Sequence, residues 1–585
     1  MTVFILGAGV MQLPAIREAK ELGWTVVVAD ANPEALGAEL ADRFVPVDLK
    51  DLDGLAAAAR SIRAEFGLDG VFTAGTDFSA SAAYVAAQLG LPGIPYETAL
   101  TASDKLRMRA ALAAAGVPSP RFVEAGSSAD LPAAAALGFP LVVKPADSMG
   151  ARGCRAVRDE RELEEAVAAA LPFSRSGRAI VEEYVEGPEF SIDALVDGDE
   201  ILIRGFADRH IAFEPYFVEL GHTMPSSCDP AIREEVLRVF RLAVEAIGIR
   251  LGAAKGDMKY SLSRREAVVG EIAARLSGGY MSGWTYPYAS GIDLTREALL
   301  LCVGFPLSEA RQKASGGAGF AVDRGWTSAE RAFISIPGTV ASVEGSLEAE
   351  RTPYVKQLFL RTGPGDKVVF PSNNIQKCGN LISQAPTRKE AALAAESAAR
   401  AMLIRLEPDD PATEAFLRGE WGTELSTEPS WPPFAFKVEG EAARELAAMP
   451  EFAAFEDSVP NAPPFAPFGR AGELRGKDWS GRGFAESAEL ALKLARRGGS
   501  EHPNRPLPAG TGPDAQVGTV LHSTVRLPAG RFWRALARGG YQAALYVLDT
   551  EAARGSDASG AETGNGSSAP LLVVAALTAA KGRRP

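Results

Sequence analysis

The chain has 585 residues, 46% apolar and 23% charged, with a formal net charge of −13. That length exceeds what one hydrophobic core serves, so several lobes are expected, in an otherwise ordinary globular composition. The acidic surplus, with no basic run interleaved with aromatics, argues against nucleic acid or an anionic membrane as partner, since both need a positive face.

Residues 2–6 (Thr-Val-Phe-Ile-Leu) read as a buried strand, followed by a glycine turn and a helix to about Leu22. There is no basic lead or cleavage site, so this is not read as a signal peptide. A second strand, Thr25 to Ala29, ends at Asp30, and another βα unit covers about 55–89 with the strand Gly70 to Thr73. Short apolar runs alternating with helices imply a parallel sheet with crossovers. Gly7-Ala8-Gly9 with Asp30 has the outline of a dinucleotide fingerprint. Gln12 occupies the third glycine position, however, so a generic βαβ turn is the expectation.

Ser103 is expected to cap a helix starting at Asp104 and stopping at Gly116, with Pro118 beyond. An α+β region follows, with strands Leu141 to Lys144, Ala179 to Glu183, Phe190 to Val196, Ile201 to Ala207 and Ala267 to Ile272. From about 331 to 384, four short runs (Phe333 to Ile336, Val355 to Leu360, Lys367 to Phe370, Asn380 to Ser383) are expected to form an antiparallel meander. Thr387 then caps a helix to about Ile404. The segment 455–515, rich in Pro, Gly and Arg, reads as loosely ordered, and Gly555 to Ser568 as disordered.

The apolar run Leu571 to Leu577 is far short of the roughly 18–20 residues that span a bilayer. Cys154, Cys228, Cys302 and Cys378 lie far apart without CxxC spacing, so neither a zinc site nor a disulfide framework is expected. A reducing, cytoplasmic location follows as an expectation.

Three stretches carry chemistry. Lys144 ends an apolar strand and precedes the small loop Ser148-Met149-Gly150-Ala151-Arg152-Gly153, a setting in which backbone N–H groups and cations can surround phosphate oxygens. Val181-Glu182-Glu183-Tyr184-Val185-Glu186-Gly187-Pro188-Glu189 ends another strand. Its backbone can meet an adenine edge and a later carboxylate a ribose; the competing reading is an acidic loop. Asp257 and Glu271 fall on what read as adjacent strands and could share magnesium with nucleotide phosphates, while Arg275 could form a bidentate clamp. The competing reading is a surface acid pair beside a solvated arginine.

Tyr280, Trp284, Tyr286 and Tyr288, in the glycine-rich run 278–291, would either line an acceptor pocket or pack their loop onto the core. His222 either faces the same cleft or is structural. His210, His502 and His522 have no partner at metal spacing.

Taken in order, these stretches resemble the ATP-grasp superfamily, especially its carboxylate–amine ligases and the related biotin carboxylase and purine-biosynthetic enzymes. The resemblance covers roughly residues 1–406. It includes Ser103-Asp104-Lys105, the Lys144 strand and loop, the 182–189 hinge, Glu271-Ile272-Ala273-Ala274-Arg275, Gly365-Asp366 and Thr387 to Ala391. It implies an α/β and α+β fold: a Rossmann-like pre-ATP-grasp domain (1–103), a two-lobed ATP-grasp domain (104–304) and a smaller C-terminal α+β lobe (305–406), with an unassigned, partly disordered extension (407–585).

The resemblance further implies site roles. Lys105 and Lys144 would contact the ATP phosphates under the loop carrying Ser148, Met149, Gly150 and Gly153. Glu182, Glu183 and the Val185 backbone would meet the adenine, and Glu189 the ribose. Asp257 and Glu271 would hold Mg2+, and Arg275 would sit by the transferred phosphate. The implied reaction activates a small-molecule carboxylate as an acyl phosphate and transfers it to an amine or thiol, releasing ADP and phosphate, in a chain expected to form a homodimer. Ala273 departs from the family's Glu-x-Asn pattern and removes one neutral oxygen ligand, which puts two-metal binding in question. A bicarbonate-activating carboxylase and an ATP-binding module without turnover are the alternatives.

Overall fold

The computed structural model describes residues 1–314, 325–419, 432–436, 476–497 and 529–561. The chain divides into two compact units, Met1–Ala332 with Leu347–Phe359 and Pro371–Ala399, and Phe333–Ser346 with Leu360–Phe370 and Arg400–Pro585. Residues 305–406, expected as one lobe, therefore pass between units. The expectations for 455–475, 498–515, 562–568 and 571–577, and for His502 and His522, lie outside the described residues.

The first unit opens with β1 (Thr2–Leu6), β2 (Thr25–Asp30), β3 (Arg43–Pro46) and β4 (Gly70–Phe72), in the order β3-β2-β1-β4 with parallel pairing throughout. Every residue of β1 is buried, as a central parallel strand covered on both faces requires. The glycine turn is generic: Ala8 N–H donates to Asp30 (2.9 Å), and the Gln12 amide pairs with both backbone groups of Ala74. Asp30 is thus spent on its own loop.

Helix α1 (Tyr96–Ser103) leads into α2 (Lys105–Ala114). Asp104, not Ser103, caps α2, accepting from Leu106 and Arg107 N–H, while Ser103 ends α1 and donates to Ala99 O. Strands β5 (Phe122–Ala125), β6 (Leu141–Pro145), β7 (Arg155–Val157) and β8 (Ala179–Glu183) form an antiparallel sheet ordered β5-β8-β6-β7. Leu141, Val143 and Val181 seal one face of it against the helix Glu160–Ala170, through Leu163, Ala166, Val167 and Ala170.

The largest sheet holds β9 (Glu189–Asp197), β10 (Glu200–Ala212), β11 (Val218–Met224), β12 (Leu251–Ser261), β13 (Glu266–Ala273), β14 (Thr327–Phe333), β16 (Val355–Leu360) and β18 (Gly379–Ala385), in the order β13-β12-β9-β10-β11-β14-β18-β16. Its back is covered by α3 (Pro230–Ile247), whose buried stripe Val236, Val239, Phe240, Ala243, Val244 and Ile247 follows the helical period. Each Val, Phe or Ile side chain of this stripe contributes about 1.5–3 kcal/mol as an upper estimate. A Cβ on Gly256 would lie 2.5 Å from the Phe240 ring, so this glycine lets α3 press directly against β12.

The expected meander is not formed. β14, β16 and β18 extend the large sheet, whereas β15 (Gly338–Glu344) pairs with β17 (Lys367–Val368) on one side and with β19 (Leu403–Leu406) on the other, in a separate three-stranded sheet of the second unit. Thr387 and Glu390 form a reciprocal capping box at the helix Arg388–Ala401, as expected.

In the second unit, Phe484, Ala488 and Ala491 of the helix Phe484–Arg497 pack with Phe532, Trp533, Leu536 and Leu545. The loose order expected across 476–497 is therefore corrected, and so is the disorder expected at 555–561, which belongs to the helix Ala529–Ala561. Among the described residues no helix is long and apolar enough to cross a membrane.

Candidate active site

Antiparallel register lays the floor of the site as cross-strand rows, because directly opposed residues share a face. Ser191, Asp257 and Glu271 stand side by side on β9, β12 and β13; the next row is Asp193, Lys255 and Ala273. Asp257 is 8% exposed and receives the Ser191 hydroxyl at 2.9 Å. The Lys255 ammonium contacts its Oδ2, and Arg209 Nε lies 3.5 Å from Oδ1. Burial opposes charge on Asp257, yet Arg209 and Lys255 outweigh it and hold the carboxyl below its usual range. Glu271 is likewise drawn down to about 2 against burial, by Lys105, then Lys255 and Arg275.

Lys105 reaches this floor, and Lys144 meets Glu182 on β8. Lys105, on the first turn of α2, sends Nζ to Ser148 O (2.8 Å) and to within 3.2 Å of Glu271 Oε1. Lys144 leaves β6 and donates to Glu182 Oε2 at 2.6 Å. The other Glu182 oxygen takes Arg109 Nε at 2.7 Å, in a pair almost wholly excluded from water. Burial would raise the Glu182 pKa, but Arg109 and Lys144 pull it down to about 2. Arg109 went unnoticed in the sequence, where it is one more polar residue of a helix.

The loop 148–153 lies over these groups. Gly150 O accepts from Asn374 N (2.9 Å), Arg152 donates to Met149 O (3.0 Å) and to Asp77 (3.1 Å), and Arg275 Nη2 lies 3.7 Å from Met149 Sδ. Gly153 has φ +67°, and a Cβ there would meet Phe173 at 2.9 Å, so the loop's exit from the sheet requires glycine. The Ser148 hydroxyl is buried and has no partner among the described residues. Arg275, 7% exposed, spends Nε on Thr76 O (2.9 Å) and Nη1 on Leu276 O (2.8 Å), which ties the end of β13 to the loop after β4.

The 182–189 hinge divides by strand alternation. The Glu183 side chain points away from Glu182 and is held by Arg121 and Arg264, so its carboxylate does not join the site. Val185 is buried, and its backbone groups make no hydrogen bond among the described residues. Glu189 meets Arg209 and Lys259, each at 3.0 Å.

His222 is buried, with Nδ1 2.7 Å from Glu330 Oε2 and Nε2 3.6 Å from Glu219 Oε2. Burial works against its protonation, but Glu219 and Glu330 prevail and raise its pKa. A Cβ on Gly279 would lie 3.0 Å from Glu219 Oε1 and 3.5 Å from His222, so these groups do adjoin the loop after Arg275. The aromatics take the packing alternative: Tyr280 stacks on Phe359 (4.1 Å), Trp284 meets Phe359 edge-on (5.1 Å), and Tyr286 is buried in the core around β1. His210 pairs with Thr223 and is pushed down to about 4 by burial and Arg331.

A hard divalent cation fits the acid pair. Magnesium takes one or two carboxylates and completes its octahedron with phosphate and water. Asp257 and Glu271 supply the carboxylates on one face, and the buried Ser148 hydroxyl awaits an acceptor beside Lys105. No third His, Cys, Asp or Glu builds a protein-only cage among the described residues.

Comparison with known proteins bears on the family and the fold. The sequence models of the ATP-grasp N-terminal domain, the ATP-grasp domain and the L-amino acid ligase C-terminal domain 2 match residues 16–93, 102–279 and 332–407. An uncharacterized protein of Sinorhizobium fredii is 27% identical over 374 residues, 62% of this chain and 74% of that protein. A D-alanine–D-alanine ligase of Stutzerimonas stutzeri is 36% identical over 177 residues, 28% of this chain and 55% of that enzyme, so the match spans about half of its length. The crystal structure of an L-amino acid ligase from Bacillus licheniformis superposes with a TM-score of 0.60 at 24% identity, covering 69% of this chain and 98% of that one, a likeness of fold. The chain belongs to the ATP-grasp superfamily.

Proposed function

We propose that the chain is an ADP-forming ligase that activates an amino acid carboxylate and joins it to an amine. The observation that carries this is the 3.2 Å approach of Lys105 to Glu271, which brings a lysine of one chain stretch onto one member of the acid pair of another. The choice of an amino acid rests on the matches to L-amino acid ligase and D-alanine–D-alanine ligase.

In this reading Lys105 and Lys144 hold the ATP phosphates, with Ser148, Met149, Gly150 and Gly153 above them. Val185 offers its backbone to the adenine. Glu182 keeps lone pairs for the amino group beyond those given to Arg109 and Lys144, and Glu189 takes the ribose. Asp257 and Glu271 would hold magnesium, which supplies charge neutralisation and polarises the γ-phosphoryl group. A substrate carboxylate oxygen bonds to the γ-phosphorus as the bond to the β-bridging oxygen breaks and ADP leaves. Arg275 Nη2 and the lysines offset the charge on the transferred group. The amine then forms a C–N bond to the acyl carbon, phosphate departs with the C–O electron pair, and the amine proton passes to solvent. The loop 148–153 keeps water from the acyl phosphate.

The test is phosphate release with pooled amino acids and amines, with the amide product identified by mass spectrometry. Release that needs both substrates, and is lost in Lys144→Ala, supports the reading. Release that needs bicarbonate and no organic acid moves the function to a carboxylase, and unchanged release in Lys144→Ala overturns the site.

A further inference from the structure

We propose that the Lys255 ammonium occupies the place of a second divalent cation, so that this ligase works with one metal ion per bound nucleotide. The inference rests on the ATP site proposed above. Lys255 sits two residues before Asp257 on β12, hence on the same face, and its Nζ contacts Asp257 Oδ2. Its cross-strand neighbour on β13 is Ala273, which presents a methyl group where an oxygen ligand would be needed. The neighbour on the other side, Asp193, is fully buried and committed to Ser277, accepting from its N–H (2.9 Å) and its hydroxyl (2.5 Å). With one flank apolar and the other taken, the Lys255 side chain lies along its own strand to Asp257. At 12% exposure it is held there.

Charge and ligand count point the same way. A magnesium ion must approach a carboxylate oxygen to about 2.0–2.1 Å. On the Oδ2 side of Asp257 it would have to displace the ammonium, or bear its repulsion at close range. It would then find a methyl group in place of its neutral ligand. On the opposite side the nearest cation, Arg209 Nε, stands off at 3.5 Å from Oδ1, where the Ser191 hydroxyl donates, so Asp257 Oδ1 and Glu271 can share one ion there with phosphate oxygens and water. A fixed monovalent charge built into β12 thus meets the phosphate where a second, exchangeable ion would otherwise bind. The positive charge there no longer depends on the free metal concentration.

The experiment uses the full chain with Mn2+ and the non-hydrolysable β,γ-imido analogue of ATP, read by electron paramagnetic resonance. One Mn2+ bound per nucleotide, with the spectrum of an isolated ion, is expected. In the double variant Lys255→Met/Ala273→Asn a second Mn2+ binds at least tenfold more tightly than in the wild type and couples magnetically to the first. Two coupled ions in the wild type overturn the inference while leaving the ATP site standing. Failure of the wild type to bind the analogue at all removes both. The wild-type stoichiometry decides the question even if the double variant does not fold.

Discussion

Arg109 on α2 donates through Nε to Glu182 on β8 at 2.7 Å, and neither side chain exceeds 2% exposure. The pair fastens the helix that carries Lys105 to the strand that precedes the nucleotide hinge. Removing Arg109 leaves the buried Glu182 carboxylate with Lys144 as its remaining ion-pair partner among the described residues, and breaking such a pair costs up to about 3–5 kcal/mol. Arg109→Met is therefore expected to lower unfolding free energy by about that amount in urea titrations. The double variant Arg109→Met/Glu182→Met should be more stable than Arg109→Met alone, since no orphaned carboxylate remains. Equal stability of the two would show that the pair is not coupled.

Acid should weaken the site in a defined window. Neighbouring cations draw the Glu182 and Glu271 carboxyls down to about 2 in the folded chain, below the ordinary glutamate value of about 4.5. Depressed carboxylates stabilise the fold fully above about pH 4.5, and that stabilisation is lost as pH falls towards 2. Unfolding free energy measured from pH 6 to pH 3 is expected to fall, and to fall less steeply in Glu182→Gln. Identical slopes would mean that Glu182 is not held ionised by Arg109 and Lys144.

Gly187 has φ +147°, and a Cβ there would lie 1.9 Å from Tyr260 O. Backbone cannot yield cheaply, so Gly187→Ala must shift the hinge between β8 and β9 away from the end of β12. A loss of at least about 1–3 kcal/mol in stability, with a several-fold weaker ATP affinity by calorimetry, is expected. An unperturbed variant would show that the hinge does not depend on this approach.

The stretches proposed to form the site were readable because they are short and self-contained. The Lys144 strand with its glycine loop, the Glu182 to Glu189 turn and Arg275 each announce themselves locally. What escaped is relational. Arg109 and Lys255 are ordinary polar residues until register and packing bring them to Glu182 and Asp257. Glu183 was expected at the nucleotide because it adjoins Glu182, whereas strand alternation sends it to Arg121 and Arg264. The meander failed for a similar reason: four short apolar runs carry no mark of which sheet each will join, and β15 takes both β17 and the distant β19 as its partners. The helix Phe484–Arg497 was hidden by the Pro, Gly and Arg content around it, although Phe484, Ala488 and Ala491 are spaced for one buried face.

The loop 148–153, proposed to cover the phosphates, is held by few contacts, and Arg152 makes two of them. It joins Met149 O within the loop and Asp77 in the segment after β4. A guanidinium can hold two acceptors in fixed directions, which a lysine cannot reproduce. Arg152→Ala removes no group proposed to touch ATP, so nucleotide affinity should change by only a few-fold. The acyl phosphate, however, would be exposed to water more often. The phosphate released per amide formed, near one in the wild type, is therefore expected to rise several-fold in Arg152→Ala, with a smaller rise in Arg152→Lys. Parallel assays of phosphate and amide decide it. If the ratio stays near one while both rates fall together, Arg152 serves only to fold the loop, and water is kept out by something other than these contacts.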